Sequence, residues 1–564
     1  MMVGAALAAT LASSITKGSE LSKPLPRQPL LHRRQRFGAK APPTKTAFRR
    51  SGFSRDPCVI ENQELGIGFD ASEIFLREGP MGIEVLRNYI GGQWVASATD
   101  TYLEVRNPAL DAVIARVPLS TVEEVNRAVA AAREAFESWR RLPIPVRARY
   151  LLRLRDQVER RFEDLARTIV QEHGKTLEEA RGEMQRTLEN IEAAAGMFTA
   201  LMGYHTPQVA DGIDEECILE PVGVFCCIAP FNFPAMIPSW FFPYALVAGN
   251  TYIVKPSEIC PITQTRLFEL IHEVGFPPGV INMVHGGKEV VDALLAHPDV
   301  AGVSFVGSTP VARYVYATAA AHGKRAQCHG GAKNALVVMP DADLERTVPA
   351  ILSSAFGSAG QRCLAGSLVM AVGEIHKPLR RALVEGASRI RVGYGLDEGV
   401  QMGPVVSRKA LERIHRYIEL GVREEAELIL DGRGIRVPGY PNGYFIGPTI
   451  FDEVQPKMTI ACEEIFGPVL GVIRVRDLEE ALEIINGLPY GNAASLFTRD
   501  GRAAREFRLR VRAGNVGINI GVAAPIAPYP FAGQKQSFFG DLHGQGMDTL
   551  YFFTDRKVVI TRWF

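Results

Sequence analysis

The chain has 564 residues, of which 47% are hydrophobic and 22% charged, with a formal net charge of +1. That length suggests about three domains, or two large ones with an appendage, and enough apolar side chain for sizeable cores. Residues 1–55 hold 11 Lys/Arg against one acid, whereas the rest of the chain holds 52 against 61, so the body is mildly acidic and lacks the basic field that nucleic acid binding needs.

No run of about 18 uncharged apolar residues occurs, which leaves no candidate for a membrane-spanning helix. The eight cysteines form no C-x-x-C pair. This argues against a disulfide framework and a zinc centre, predicts no metal site, and favours a reducing compartment.

In chain order, residues 1–55 are rich in Ala, Ser, Arg and Pro and nearly free of acids, as organellar transit peptides are. The mitochondrial matrix is the expected location, with a plastid-type organelle, a secretory signal and a disordered basic tail as alternatives. Residues 56–85 read as a connector. A short strand is predicted at 88–95 and another at 105–107, ending in a turn. Residues 121–203 carry helical periodicity, with Ser120-Thr121-Val122-Glu123 as a helix start. Pro207, Gly212 and several acids break the pattern over 206–220, which predicts an exposed hairpin or arm.

From 221 the pattern changes to alternating strand and helix. Apolar runs at 222–229, 252–254, 280–285 and 303–306 are each followed by a loop and, at the later runs, a helical stretch, as parallel βαβ units require. Ligands bind such sheets beyond the carboxyl ends of the strands. Attention therefore falls on Pro230-Phe231-Asn232, on Lys255-Pro256-Ser257-Glu258 and on Gly307-Ser308. A second α/β segment begins with the strand at 335–339 and a helix at 344–358. The last 45 residues are rich in Gly, Pro and aromatics and read as an extended tail packed on something else.

The chemistry centres on Phe356-Gly357-Ser358-Ala359-Gly360-Gln361-Arg362-Cys363. A cysteine among small residues, directly after a permanent cation, is placed to act as a thiolate nucleophile, the alternative being a packed free thiol. Asn232 sits in a turn stiffened by Pro230 and Pro234. It suits a rigid donor to a developing oxyanion, or else an Asx turn. Lys255 and Glu258 suit ribose hydroxyls or a phosphate, and equally solvated charges. No G-x-G-x-x-G fingerprint is present.

These strings, together with Glu464-Ile465-Phe466-Gly467-Pro468-Val469 and Pro489-Tyr490-Gly491-Asn492, occur in one order. The chain resembles the aldehyde dehydrogenase superfamily over about residues 86–564. That resemblance implies an α/β fold with two α/β domains, one Rossmann-type for NAD and one catalytic, plus a small β oligomerisation arm. The implied NAD-binding domain spans 86–205 and 221–330, the catalytic domain 331–515, and the arm and tail 206–220 and 516–564. Homodimers or homotetramers are expected.

The resemblance also implies roles. Cys363 would be the nucleophile, with Asn232 and the Cys363 N–H as the oxyanion hole. Lys255 and Glu258 would hold the adenosine ribose, Gly307 and Ser308 the pyrophosphate, Glu464 the nicotinamide ribose, and Ala229 and Phe231 the dinucleotide along its length. An acid at 258 points to NAD over NADP. Ile259 stands where a polar cofactor contact is expected.

The family's general base, a glutamate about 34 residues before the cysteine, is missing. The segment reads Gln327-Cys328-His329-Gly330-Gly331-Ala332-Lys333-Asn334; aligned on Lys333-Asn334 it puts His329 at that position, aligned on Gly330-Gly331 it puts Cys328 there, and neither is a carboxylate. Without that base the thioacyl-enzyme waits for a better nucleophile than water. Together with Gly331-Ala332-Lys333-Asn334, Val338-Met339-Pro340-Asp341-Ala342-Asp343 and Phe538-Phe539-Gly540-Asp541, this resembles the CoA-acylating methylmalonate-semialdehyde dehydrogenase branch. The implied activity is NAD-dependent oxidation of methylmalonate semialdehyde to propionyl-CoA, and of malonate semialdehyde to acetyl-CoA, with decarboxylation. Arg362, and Arg186 on a predicted helix, would hold the substrate carboxylate, although Arg186 taken alone reads as a solvated helix face. The alternative is a hydrolytic aldehyde dehydrogenase with His329 as base.

Overall fold

The computed structural model describes residues 83–564. The expectations for residues 1–55 and for most of the connector therefore lie outside the described residues.

The helical region begins where its sequence signals place it. Thr121 and Glu124 form a reciprocal capping box at the start of Val122–Trp139. Ile144–Arg160, Phe162–His173 and Leu177–Ala195 follow, and the last has its own capping box from Thr176 and Glu179. Their apolar stripes close on the first sheet and on the helices Phe242–Ala248 and Ile262–Val274. No helix among the described residues is long and apolar enough to cross a membrane.

The first large sheet has eight strands. Its parallel centre runs Arg325–His329, Val300–Val306, Val224–Ile228, Thr251–Lys255, Ile281–Met283. Val224–Ile228 and Thr251–Lys255 are buried at every position. Helices cover both faces of such a sheet, so its strands read as continuous apolar runs and not as an alternation. Asn88–Ile90 and Gln93–Val95 extend one edge antiparallel. Phe538–Phe539, from the chain's last segment, closes the other edge against Arg325–His329.

The strand order reverses between Val224–Ile228 and Val300–Val306, which makes their carboxyl ends a topological switch point. Ala229, Lys255 and Gly307 all lie at that end of the sheet.

The second sheet has seven strands, in the order Glu427–Leu430, Thr449–Asp452, Val469–Val475, Gly366–Val372, Asn334–Val338, Ala493–Phe497, Asn515–Ile518. Only the first is antiparallel to its neighbour. Cys363 lies three residues before Gly366, at the amino edge of this sheet.

The predicted hairpin is present as Tyr204–Ala210 and Ile213–Pro221, and Thr554–Arg562 pairs along its whole length. A further three-stranded sheet of Glu84–Val85, Ala112–Pro118 and Tyr102–Asn107 is larger than the short strand expected there. The tail is more ordered than an extended segment: it also contains the helix Gly546–Phe552.

Candidate active site

The backbone before Cys363 is an elbow. The helix Leu344–Phe356 ends, and Ser358, Ala359 and Gly360 follow with φ of 49°, 50° and 70°. Two of the three carry a Cβ, which costs about 1–2 kcal/mol each in the left-handed region, so surrounding contacts must hold them. Glu179 Oε1 accepts the Ser358 N–H at 2.6 Å. A Cβ on Gly360 would overlap the Gly467 carbonyl. Gln361 Oε1 accepts the Val406 N–H at 2.9 Å.

Arg362 directs its Nη2 onto the carbonyls of Ser353 and Ser354 at the end of that helix, so part of its guanidinium is already engaged. Burial pushes the Cys363 thiol up to about 12, with Glu464 adding to the rise. Its own backbone N–H, Arg362 and the Leu364 N–H act in the opposite direction.

Asn232 lies across from the elbow. Its Nδ2 donates to the Gln361 carbonyl at 3.2 Å, which leaves the second amide hydrogen for a ligand. The turn that carries it is clamped from beneath. Lys175 Nζ donates to the Asn232 carbonyl at 2.7 Å and pairs with Glu183 at 2.8 Å. The other oxygen of Glu183 accepts the N–H groups of Ala235 and Met236. Both side chains of this ion pair are fully buried, and Lys175 also lies 4.1 Å over the Phe233 ring.

At the switch point, Lys255 Nζ meets Glu258 at 2.9 Å. The Ala229 N–H is occupied by the Lys255 carbonyl at 3.0 Å, and the Gly307 N–H by the His329 carbonyl at 3.1 Å. Ser308 is the N-cap of Thr309–Ala321 but caps nothing with its own side chain, so the helix start is open to an anion. A Cβ on Gly331 would overlap Glu464, so the bare backbone there lets that carboxylate approach. Glu464 Oε1 accepts the Ala332 N–H at 2.8 Å, and burial raises its carboxyl to about 7. Phe231 bridges the two loops, stacked on His173 at 6.2 Å and edge-on to Phe466 at 5.9 Å. This open helix start, with the Lys255–Glu258 pair and the approach to Glu464, fits a dinucleotide.

Two predicted residues make no hydrogen bond or ion pair, among the described residues, to the groups named above. Ile259 is exposed and joins no polar group by its side chain. Arg186 is ion-paired with Glu189 at 2.8 Å, and among the described residues no hydrogen bond or ion pair joins it to Arg362, Cys363 or Asn232.

The surroundings of His329 work against its acting as a base. Its Nε2 accepts the Gly544 N–H at 3.1 Å, so the proton of the neutral ring sits on Nδ1 and the free lone pair is in use. Trp240, Phe531 and Phe538 surround the ring. Burial, with His543 adding, lowers its conjugate acid to about 3.

Several site residues escaped sequence reasoning. Lys175, Glu183 and Glu179 sit in a helical stretch that reads as ordinary charged surface. Lys333 is buried with no hydrogen-bond partner for its Nζ among the described residues, and burial lowers it to about 8 while Glu464 opposes the change. Arg413 donates to the Phe466 carbonyl and is electrostatically coupled to Glu464. Asn334 and Asn492 both bond the Cys363 carbonyl. These two lie inside strings that the motif comparison had already singled out, which was their only signal.

Comparison with known proteins follows the same geometry. The model of the aldehyde dehydrogenase family matches residues 94–559. A malonate-semialdehyde dehydrogenase of Geobacillus kaustophilus is 51% identical over 480 residues, covering 85% of this chain and 99% of the relative. The crystal structure of a methylmalonate-semialdehyde dehydrogenase from Oceanimonas doudoroffii superposes with a TM-score of 0.84 at 43% identity, covering 85% of this chain and 99% of that one. A betaine aldehyde dehydrogenase of Staphylococcus aureus, solved in complex with NAD, gives 0.82 at 32% identity, covering 84% and 95%.

The expected mitochondrial location is corrected by these findings. The relatives, including others from Halalkalibacterium and Oceanobacillus, are bacterial, from cells without mitochondria. The basic segment that prompted the expectation also lies outside the stretch matched by the family model. The family match and the identity over most of both chains establish that this chain belongs to the aldehyde dehydrogenase family.

Proposed function

We propose that the protein is a CoA-acylating malonate/methylmalonate-semialdehyde dehydrogenase that uses NAD. The observation that carries this reading is the state of His329: where the family's catalytic glutamate is expected, the ring offers no free lone pair and holds a proton poorly. A thioester on Cys363 then lacks the base that the family places there to activate water, and a thiol substrate takes the acyl group.

Lys255 and Glu258 would hold the adenosine ribose, the open helix start at Ser308 and the backbone at Gly307 the pyrophosphate, and Glu464 the nicotinamide ribose. The backbone at Ala229 and the ring of Phe231 would flank the dinucleotide, and Ile259 adds nothing polar. Bound there, NAD supplies the hydride acceptor.

The Cys363 thiolate adds to the aldehyde carbon, and the resulting oxyanion is met by the free amide hydrogen of Asn232 and the N–H of Cys363. After oxidation the acyl group is a thioester with a carboxylate on its α-carbon. Arg362 and Arg186 attract that carboxylate, with Arg362 contributing the donors not spent on Ser353 and Ser354. Loss of carbon dioxide leaves an enolate that the same two donors hold until it is protonated. The thiolate of coenzyme A then attacks the carbonyl and expels Cys363, giving propionyl-CoA, or acetyl-CoA from malonate semialdehyde. A second copy of the chain is the partner proposed for the three-stranded arm, as a homodimer or homotetramer.

The test is incubation with methylmalonate semialdehyde and NAD, with and without coenzyme A. Rapid NADH formation and propionyl-CoA only in the presence of coenzyme A are expected. Equal turnover with a free acid in both tubes would overturn the acylating reading in favour of hydrolysis.

A further inference from the structure

Two asparagine side chains grip the carbonyl of Cys363 from neighbouring strands. Asn334 opens Asn334–Val338, which pairs parallel with Gly366–Val372, the strand that follows Cys363; Asn492 directly precedes Ala493–Phe497, which pairs parallel with Asn334–Val338 on its other side. Asn334 Nδ2 donates to the Cys363 carbonyl at 2.9 Å and to that of Ala365 at 2.9 Å. Asn492 Nδ2 donates to the Cys363 carbonyl at 2.8 Å. Each asparagine is 3% exposed.

Both are themselves anchored. Asn334 Oδ1 accepts the Ala493 N–H at 2.9 Å, and the Asn492 carbonyl accepts both the backbone N–H of Asn515, at 2.9 Å, and its Nδ2, at 3.0 Å.

The consequence follows from peptide geometry. In a planar trans peptide the carbonyl and the next N–H point in opposite directions. Holding the Cys363 carbonyl from two sides therefore sets the direction of the Leu364 N–H, the donor on the carboxyl side of the Cys363 side chain. Two donors on one carbonyl also polarise the peptide and strengthen that N–H as a donor.

We propose that Asn334 and Asn492 are positioning residues that aim the Leu364 N–H at the Cys363 sulfur and thereby favour the thiolate. The proposal rests on Cys363 as the nucleophile. That reading is tested separately, since a Cys363→Ala protein that still formed NADH would overturn it whatever the asparagines do.

The experiment compares Asn492→Ala and Asn492→Ser with the parent in the full-length protein. Iodoacetamide alkylation of the Cys363 peptide is followed by mass spectrometry between pH 7 and 11, beside NAD affinity and thermal unfolding. At pH 9 the Ala variant should alkylate about three- to tenfold more slowly, the factor worth one net hydrogen bond. Its profile should move to higher pH, with NAD affinity unchanged. The Ser variant, which keeps a hydroxyl donor, should fall between the two, and it carries the test alone if the Ala protein does not fold. A merely structural role predicts a looser, more accessible thiol. Faster alkylation, or a profile identical to the parent in the folded variants, would overturn the proposal.

Discussion

The proposed nucleophile, Cys363, sits in surroundings that favour its protonated thiol. Burial and the charge of Glu464 together lift the Cys363 thiol to about 12, and Arg362 only partly opposes them. Burial raises the Glu464 carboxyl to about 7, so its effect on the thiol is present above that pH and fades below it. Replacing Glu464 by Gln should therefore separate two roles. At pH 9 alkylation of Cys363 should rise about threefold, the effect of half a pKa unit. At pH 6 it should match the parent, and NADH formation should fall because the proposed ribose contact is lost. An unchanged alkylation rate at pH 9 would remove Glu464 from the electrostatics of the nucleophile. Cys363, Asn232, Lys255 and Glu258 were legible in the sequence because each lies in a short string whose neighbours stiffen or polarise it. Lys175 was not, because its meaning depends on Asn232, 57 residues away, and on Glu183 behind the same turn. Burial made the other difference: His329 read as a base from its solution chemistry, whereas an aromatic box and the Gly544 N–H take that capacity away.

Among the elements, the elbow at 357–360 does the presenting. It is a short left-handed turn whose residues are tolerated because Glu179, Gly467 and Arg362 surround them. Sequence reading saw only that the residues are small, since left-handed geometry at Ser358 and Ala359 goes against their own preference and is imposed by contacts. The capping box at Thr121 was legible for the opposite reason, both partners lying within one turn of helix. The elbow can be tested with two glycines of similar φ. Gly360 is at +70° against the Gly467 carbonyl, whereas Gly275 is at +76° with nothing near its missing Cβ. Gly275→Ala should cost about 1–2 kcal/mol in denaturant unfolding and leave NADH formation intact. Gly360→Ala adds an overlap to the same backbone penalty and should cost about 3–5 kcal/mol, with NADH formation lost even in the folded fraction. Equal costs at the two positions would show that the Gly467 contact is not what fixes the elbow.

Across the whole molecule, the two sheets follow from runs of apolar sequence, but their edges do not. The two-residue strand Phe538–Phe539 completes the first sheet from more than 200 residues beyond its neighbour, and so short a strand has no periodicity to read. The arm is similar: its hairpin was legible from its turn residues, whereas its third strand comes from the chain's end. That strand, Thr554–Arg562, pairs on one side only among the described residues, and a long open edge invites a further strand. One face of it also carries an apolar strip between Arg556 and Arg562. Val558 and Ile560, two residues apart on one face, are 60% and 65% exposed, and Tyr204 on the far strand of the same sheet is 69% exposed. An edge and a face of this kind are stable in water when covered, and a second copy of the chain covers both at once. Ile560→Asp places a charge in that strip without touching the nucleophile or the dinucleotide loops. In sedimentation velocity the parent should run as a dimer or tetramer and the variant as a smaller species, with its secondary structure retained. A parent that sediments as a monomer, or a variant of unchanged size, would mean that this sheet is not the joint between subunits.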